Sequence, residues 1–317
     1  MKEFKNKVVI VTGGTGSIGS EIVRQLLKTK VAQIRIYSRD EHKQHELGQE
    51  LGGDMRLRYL IGDVRDKDRL DFAFRGVDIC FHAAALKHVP ICEYNPFEAV
   101  KTNVIGTQNV IDVSIKHNLE KVMAISTDKA VSPESVLGAS KLMMERLIIA
   151  ANITTGPSRT RFSAVRFGNV LHSRGSVIHL WRRQIEAGGP VTITDRKALR
   201  YFMDIPEAVR FVFEGTLLMK GGEIFVLKMK ERSIVAFAED VIAEYANGKK
   251  IKLSFTGLRP GEKLREALLT AEEVSHTLEI KDMFIILPAA LVSMVNSLGP
   301  YEYPGAKKAR SNKYVSR

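Results

Sequence analysis

The chain has 317 residues, 44% hydrophobic and 26% charged, proportions of a soluble globular protein that exclude a disordered or fibrous chain. No apolar run reaches the roughly 18 residues needed to span a bilayer; the longest, Met283 to Val292, is interrupted by Pro288 and stops at Ser293. A formal charge of +12 suits polyanions such as phosphorylated small molecules, but the cations are spread along the chain without a nucleic-acid-binding signature, so nucleic acid is not an expected partner.

The first predicted strand, Val8 to Thr12, is preceded by no signal-peptide layout. It runs into Gly13, Gly16 and Gly19, spaced by three, and then into a helix from Ser20 to Leu27. In this strand–loop–helix setting the glycines predict a dinucleotide site. Gly13 allows the tight turn, Gly16 lets the backbone approach a pyrophosphate, and Gly19 lets helix and strand pack closely. Thr15, Ser17 and Ile18 complete the loop, and the helix N-terminus offers free N–H groups to phosphate. A plain glycine turn is the alternative.

The second strand, Gln33 to Ser38, ends at Arg39 and Asp40. Arg39 and Lys43 are spaced to hold the 2′-phosphate of NADP, whereas Asp40 keeps NAD as an alternative. After the third strand, Arg56 to Ile61, Asp63 and Val64 are placed to touch adenine or simply to turn the chain. The fourth, Asp78 to His82, leads through Ala83, Ala84 and Ala85 to Lys87. Cys80 within it reads as a core residue. A helical span from Pro96 to His117 carries Asn103. The fifth strand, Val122 to Ser126, delivers Thr127, Asp128 and Lys129, and the helix Ser135 to Ala151 carries Lys141. The sixth, Arg161 to Arg166, precedes Asn169.

Strand–helix alternation of this kind predicts an α/β, Rossmann-like, doubly wound parallel sheet. Its ligands belong beyond the carboxyl ends of the strands. We expect an NADP-binding domain at residues 1–166, with 195–225 returning to it. A smaller, partly interleaved C-terminal substrate-binding region is expected at 167–194 and 226–290. Residues 300–317, with Lys307, Lys308, Arg310, Lys313 and Arg317, read as a solvated basic tail. Cys80 and Cys92 are too few for a disulfide framework, which fits a cytoplasmic protein. His45, His82, His117, His172 and His179 lack metal-ligand spacing, so no metal is expected.

Taken together, TGGTGSIG, SRDE (Ser38 to Glu41), AALKHVP (Ala84 to Pro90), STDKA (Ser126 to Ala130), RFGNV (Arg166 to Val170), SRGSV (Ser173 to Val177) and RPGEK (Arg259 to Lys263) resemble one family. It is the UDP-N-acetylglucosamine 4,6-dehydratases, the polysaccharide-biosynthesis branch of the extended short-chain dehydrogenases/reductases. The resemblance covers most of the chain. It implies a redox-neutral reaction on a nucleotide sugar. Hydride leaves sugar C4 for NADP⁺, a base removes the C5 proton, an acid helps the C6 hydroxyl leave as water, and the hydride returns to C6.

By this resemblance Lys129 is the C5 base, Asp128 the acid at the C6 hydroxyl, and Thr127 bonds near O4. Lys141 bonds the nicotinamide ribose. A lysine base must be neutral part of the time, so burial and the nicotinamide charge are expected to lower Lys129 from about 10.4 to about 7.5, against the pull of Asp128. Asn103 resembles the asparagine that orders short-chain dehydrogenase sites. Lys87, Asn169, Arg174, Ser176, Val177, Thr192, Arg200, Arg259 and Glu262 are the implied contacts of the UDP-sugar, with Arg suited to forked phosphate contacts.

The tyrosine that the dehydrogenases commonly place four residues before the helical lysine is Leu137 in this chain. The O4 base is therefore open, and Thr127, through water to Asp128 or Lys141, is the expected relay. The blocks ALKHVP, SRGSV and Gly222 to Val226 with Lys228 look more like the C5-inverting enzymes. A homo-oligomer, dimer or hexamer, is also implied. The alternatives are a UDP-sugar 4-epimerase and a non-catalytic NADP-binding regulator.

Overall fold

In the computed structural model, residues 2–154, 158–288, 301–310 and 314–316 are described. Six strands carry the first half: β1 (Val8–Thr12), β2 (Gln33–Ser38), β3 (Leu57–Ile61), β4 (Ile79–His82), β5 (Lys121–Ile125) and β6 (Arg161–Arg166). β1 and β4–β6 are buried along almost their whole length, as strands must be when helices cover both faces of a parallel sheet. All six pair in parallel, in the order β6-β5-β4-β1-β2-β3. Strand order reverses between β1 and β4, where a crevice opens for a ligand.

The chain then leaves this sheet for β7 (Asn169–Val170), β8 (Val191–Ile193) and β9 (Leu199–Met203). It returns as β10 (Ile224–Leu227), parallel to β6. Later come β11 (Glu231–Ser233), β12 (Leu253–Phe255), β13 (Thr277–Ile280), β14 (Met283–Ile286) and β15 (Lys307–Lys308). β14, β13 and β15 add antiparallel to β10 in turn, making ten strands among the described residues. The return to the large sheet therefore runs past 195–225. The apolar run at Met283 is a buried strand as far as Ile286, while residues 289–292 of that run lie outside the described residues.

A second core lies apart from the sheet. Trp181, Ile178 and Ile185 pack on Phe237, Val241, Val191 and Ile193, and the Trp181 indole donates to Thr192 O at 2.8 Å. It supports β12 on β8 and the small β11-β9-β7 sheet.

The solvated-tail reading of residues 300–317 is corrected. Tyr303 is buried and donates to Glu223 Oε1 at 2.5 Å, and Tyr301 donates to Gly221 O. Leu268 N and Leu269 N both donate to Tyr314 O. Three tyrosines supply the apolar area that a count of charges overlooks. Lys313 and Arg317 lie outside the described residues.

Two local features shape the ligand crevice and its supports. The span Pro96 to His117 is not one α-helix: Pro96–Ala99 and Gly106–Lys116 flank a π-helical stretch, Val100–Ile105, the kind of widened turn often found beside functional sites. Second, Arg166 is fully buried at the end of β6. It pairs with Glu145 at 2.7 Å and Glu273 at 2.9 Å and donates to Leu268 O. This ties the sheet, the helix Val136–Thr154 and the segment 268–273 together.

Candidate functional site

A cleft of about 830 Å³ opens at the carboxyl ends of the strands. At its floor Gly13 has φ +67°, and a Cβ there would stand 2.7 Å from Ala84 N. A Cβ at Gly19 would stand 2.3 Å from Gly13 O. Both positions exclude a side chain, one through the turn and one through helix packing. The helix Ser17–Leu27 has no side-chain cap among the described residues, so its first N–H groups remain for an anion. Thr15, Gly16, Ser17 and Ile18 line the same floor, with Ala83, Ala84 and Ala85 opposite. This backbone cradle fits a dinucleotide pyrophosphate.

At the end of β2, Ser38, Arg39 and Lys43 line the cleft with Asp63 and Val64. Asp40 lines it too, while its Oδ1 caps Lys43 N at 3.0 Å and its Oδ2 meets the Lys43 amine. Arg39 reaches Asp63 Oδ2 at 3.4 Å. Asn103 does not face the cleft. Its amide accepts from Leu86 N at 2.8 Å and donates to Leu86 O and Ser140 Oγ. It thereby fixes the loop after β4 from behind, and the π stretch sets it at that height.

The far side of the cleft holds the expected substrate residues, several already engaged in hydrogen bonds or an ion pair. Lys87 Nζ donates to Ser173 Oγ at 3.3 Å, and burial pulls its pKa down. Arg174 lies on the phosphate loop, donating to Thr15 O at 3.0 Å and from its backbone to Ser17 Oγ. Arg200 pairs with Glu262 at 2.8 Å. Thr192 exchanges two hydrogen bonds with Gln184. Arg259 and Val177 line the cleft. Ser176 Oγ, at the start of the helix Val177–Glu186, is buried without a partner among the described residues.

The residues after β5 form the chemical centre. Lys129 Nζ lies 3.0 Å from Asp128 Oδ1, 3.4 Å from Asn169 Oδ1 and 3.4 Å from Glu266 Oε1. Thr127 Oγ1 donates to the same Asp128 Oδ1 at 2.8 Å. The expected lowering of Lys129 is reversed. Burial pulls its pKa down, but Asp128 and Glu266 together hold it above the ordinary lysine value. Asp128 is fully buried and does not line the cleft, so it reaches a substrate only through Thr127 or Lys129. Asn169 sits against the amine.

Lys141 is the opposite case. Its Nζ donates to Ile125 O at 2.7 Å, and burial, against Glu145, lowers its pKa to about 8. Leu137 is packed with Cys92 and Ala99. The sequence pattern did not single out Glu266 at all. The available signal was an acidic residue directly before the apolar run Ala267 to Leu269.

A profile of the polysaccharide biosynthesis protein family matches residues 9–288. The chain belongs to this family. An uncharacterized membrane protein of Methanocaldococcus jannaschii is 51% identical over 309 residues, covering 96% of this chain and 92% of that protein. A UDP-N-acetylglucosamine 4,6-dehydratase (inverting) of Campylobacter jejuni is 41% identical over 288 residues, 90% and 84% of the two chains. A UDP-glucose 4-epimerase of Rickettsia canadensis is 39% identical over 287 residues, 89% and 83% of the two. Among solved structures, Pen from Bacillus thuringiensis superposes with a TM-score of 0.87 at 44% identity, covering 90% of this chain and 89% of that one. No helix among the described residues of this family member is long and apolar enough to cross a membrane.

Proposed function

We propose that the protein is a UDP-N-acetylglucosamine 4,6-dehydratase of the C5-inverting kind, working with bound NADP. The observation that carries this reading is the Lys129 amine, held at the cleft wall 3.0 Å from Asp128, whose other contact is the Thr127 hydroxyl. An amine and a carboxyl sharing one proton beside a sugar suit removal of a C5 proton and departure of a C6 hydroxyl. The Campylobacter jejuni relative supports the substrate and the stereochemistry.

The glycine loop and the uncapped helix behind it would hold the pyrophosphate. Arg39 and Lys43, two cations lining the cleft at the end of β2 beside the single carboxylate of Asp40, support NADP over NAD. Bound there, NADP supplies the acceptor and later the donor of one hydride. Lys141 would hold the ribose and Asn103 the loop beside it. The unpartnered Ser176 hydroxyl at a helix N-terminus favours the substrate diphosphate there, with Lys87, Arg174, Arg200, Arg259 and Asn169 around it. Because Asp128 is covered, its proton passes through Thr127 Oγ1, the group on its cleft side. Exposed Ile91, Tyr94, Phe97 and Met143, on helices that pack together, favour a homo-oligomer. Light scattering checks that part.

The direct test incubates the protein with UDP-N-acetylglucosamine and follows product mass. Loss of one water is expected, and NMR of product made in deuterated water reads the face of C5 protonation. An unchanged mass with inverted C4 would instead make it a 4-epimerase, a reading that the Rickettsia relative favours. An intact substrate in the presence of bound NADP would point to a non-catalytic binder.

A further inference from the structure

Glu266 belongs to no motif, yet it lines the cleft 3.4 Å from the Lys129 ammonium. Its backbone is pinned on both sides. Arg265 bridges to Leu199, while Leu268 bonds both Arg166 and Tyr314. Its side chain is buried. The charged groups facing it are Lys129, Asp128, Arg200 and Lys263. Arg200 is engaged with Glu262 and the Leu264 carbonyl, and Lys263 with the carbonyls of Val131 and Ser132. Lys129 is thus the cation in contact with both carboxylates.

Two carboxylates around one ammonium would bury a net negative charge. Moreover, Glu266 Oε2 and Asp128 Oδ2 find no hydrogen-bond donor among the described residues. An ionised carboxylate with a dry, unpaired oxygen is strongly disfavoured. One added proton on Glu266 removes the excess charge and gives that oxygen a hydrogen of its own.

We propose that Glu266 positions the proton of Lys129: when neutral it lets Lys129 hand a proton to Asp128, and when ionised it locks that proton on the amine. This rests on the dehydratase reading. With Glu266 neutral, a proton crosses the 3.0 Å from Lys129 Nζ to Asp128 Oδ1. An N–H bond breaks, an O–H bond forms, and an ion pair becomes a neutral pair, which burial favours. The free amine takes the sugar C5 proton, and the C5–H electron pair becomes the C5–C6 double bond. The C6–O pair leaves with oxygen, which receives the Asp128 proton through Thr127 and departs as water. Lys129 and Asp128 are then back in their starting states. Burial, against the pull of Lys129, raises the Glu266 carboxyl above its ordinary range, which keeps the neutral form available.

Glu266→Gln imitates the neutral form permanently, whereas Glu266→Asp stays ionisable. Water loss from UDP-N-acetylglucosamine is measured from about pH 6 to about pH 10, a range chosen to carry a raised carboxyl from its neutral to its ionised form. Glu266→Gln is expected to keep about tenfold more of its own neutral-pH kcat at about pH 9 than the wild type keeps, one pH unit of displacement in the alkaline limb. Glu266→Asp retains that limb. Infrared spectroscopy adds a reading that needs no substrate: at neutral pH the wild type shows an un-ionised carboxyl stretch that Glu266→Gln lacks. An unmoved alkaline limb, a folded Glu266→Gln inactive at every pH, or a missing infrared band overturns the proposal. Failure of the dehydratase reading looks different, with no water loss from wild type at any pH and the band still present.

Discussion

Two buried clusters in this molecule have the same composition, two carboxylates around one cation, and opposite consequences. Arg166 meets Glu145 through Nε and Nη2 and Glu273 through Nη1 and Nη2. All four carboxylate oxygens receive a hydrogen bond. Although burial pushes Glu273 up, Arg166 holds its pKa below the usual glutamate value. Around Lys129, Asp128 and Glu266 each keep an oxygen without a donor among the described residues, and Glu266 moves up instead. The difference is the donor set. A guanidinium fork satisfies two carboxylates in one plane, whereas an ammonium has three donors and no fork. The first arrangement fixes structure, and the second leaves a proton free to move.

Exchanging the cations should break this contrast. Lys129→Arg keeps a positive charge but brings a group that does not give up its proton. We expect kcat to fall by about 10³ to 10⁴, or about 4–5 kcal/mol of barrier, read as water loss from the UDP-sugar with NADP still bound. Retained turnover would remove the amine from the chemistry. Arg166→Met tests the other cluster. Leaving two buried carboxylates without their cation should cost about 3–5 kcal/mol of stability, measured by chemical denaturation. A loss below about 1 kcal/mol would mean that the cluster is not the anchor described.

Lys141 sharpens the comparison as a buried cation bonded to a carbonyl and a thioether. Its folded pKa of about 8 lies below the ordinary lysine value of 10.5. The unfolded chain therefore binds more protons between these values, so stability rises with pH through that window. Below about pH 8 the folded state carries the full penalty, about 3 kcal/mol. Lys141→Met should recover part of it at neutral pH, and the gain should vanish above about pH 10.5. Denaturation at both ends of the window checks the sign. The smallest effect is expected from Thr127→Val, which removes the hydroxyl on Asp128 Oδ1. Turnover should fall about tenfold, worth about 1.4 kcal/mol, and full turnover would end the relay role.

The cofactor half of the fold was legible because its signals are local. β1, the glycine loop and the following helix are contiguous in sequence, and strand boundaries through β6 agree with the pattern to about a residue. The rest depends on long-range pairing. β13 and β15 are short, and they form because β14 offers an edge to β13 and β13 in turn offers one to β15. The π stretch at Asn103 hides inside a helical periodicity. Lys129 was visible, but the sign of its shift was not, since Glu266 approaches from more than a hundred residues away. Arg174, which lines the cleft, also donates to Thr15 O, a contact between residues 159 positions apart that no local pattern announces.

The two ends of the ten-stranded sheet also bear on how the molecule behaves in a crowded solution. β15 is only two residues long, and both, Lys307 and Lys308, are exposed. β3, five residues long with Arg58 and Ile61 exposed, closes the other end. At the β15 end, a brief strand bearing two exposed lysines discourages a second copy from adding strands to the ladder. The basic character of the C-terminal stretch thus guards against sheet-to-sheet aggregation, whatever the cleft binds.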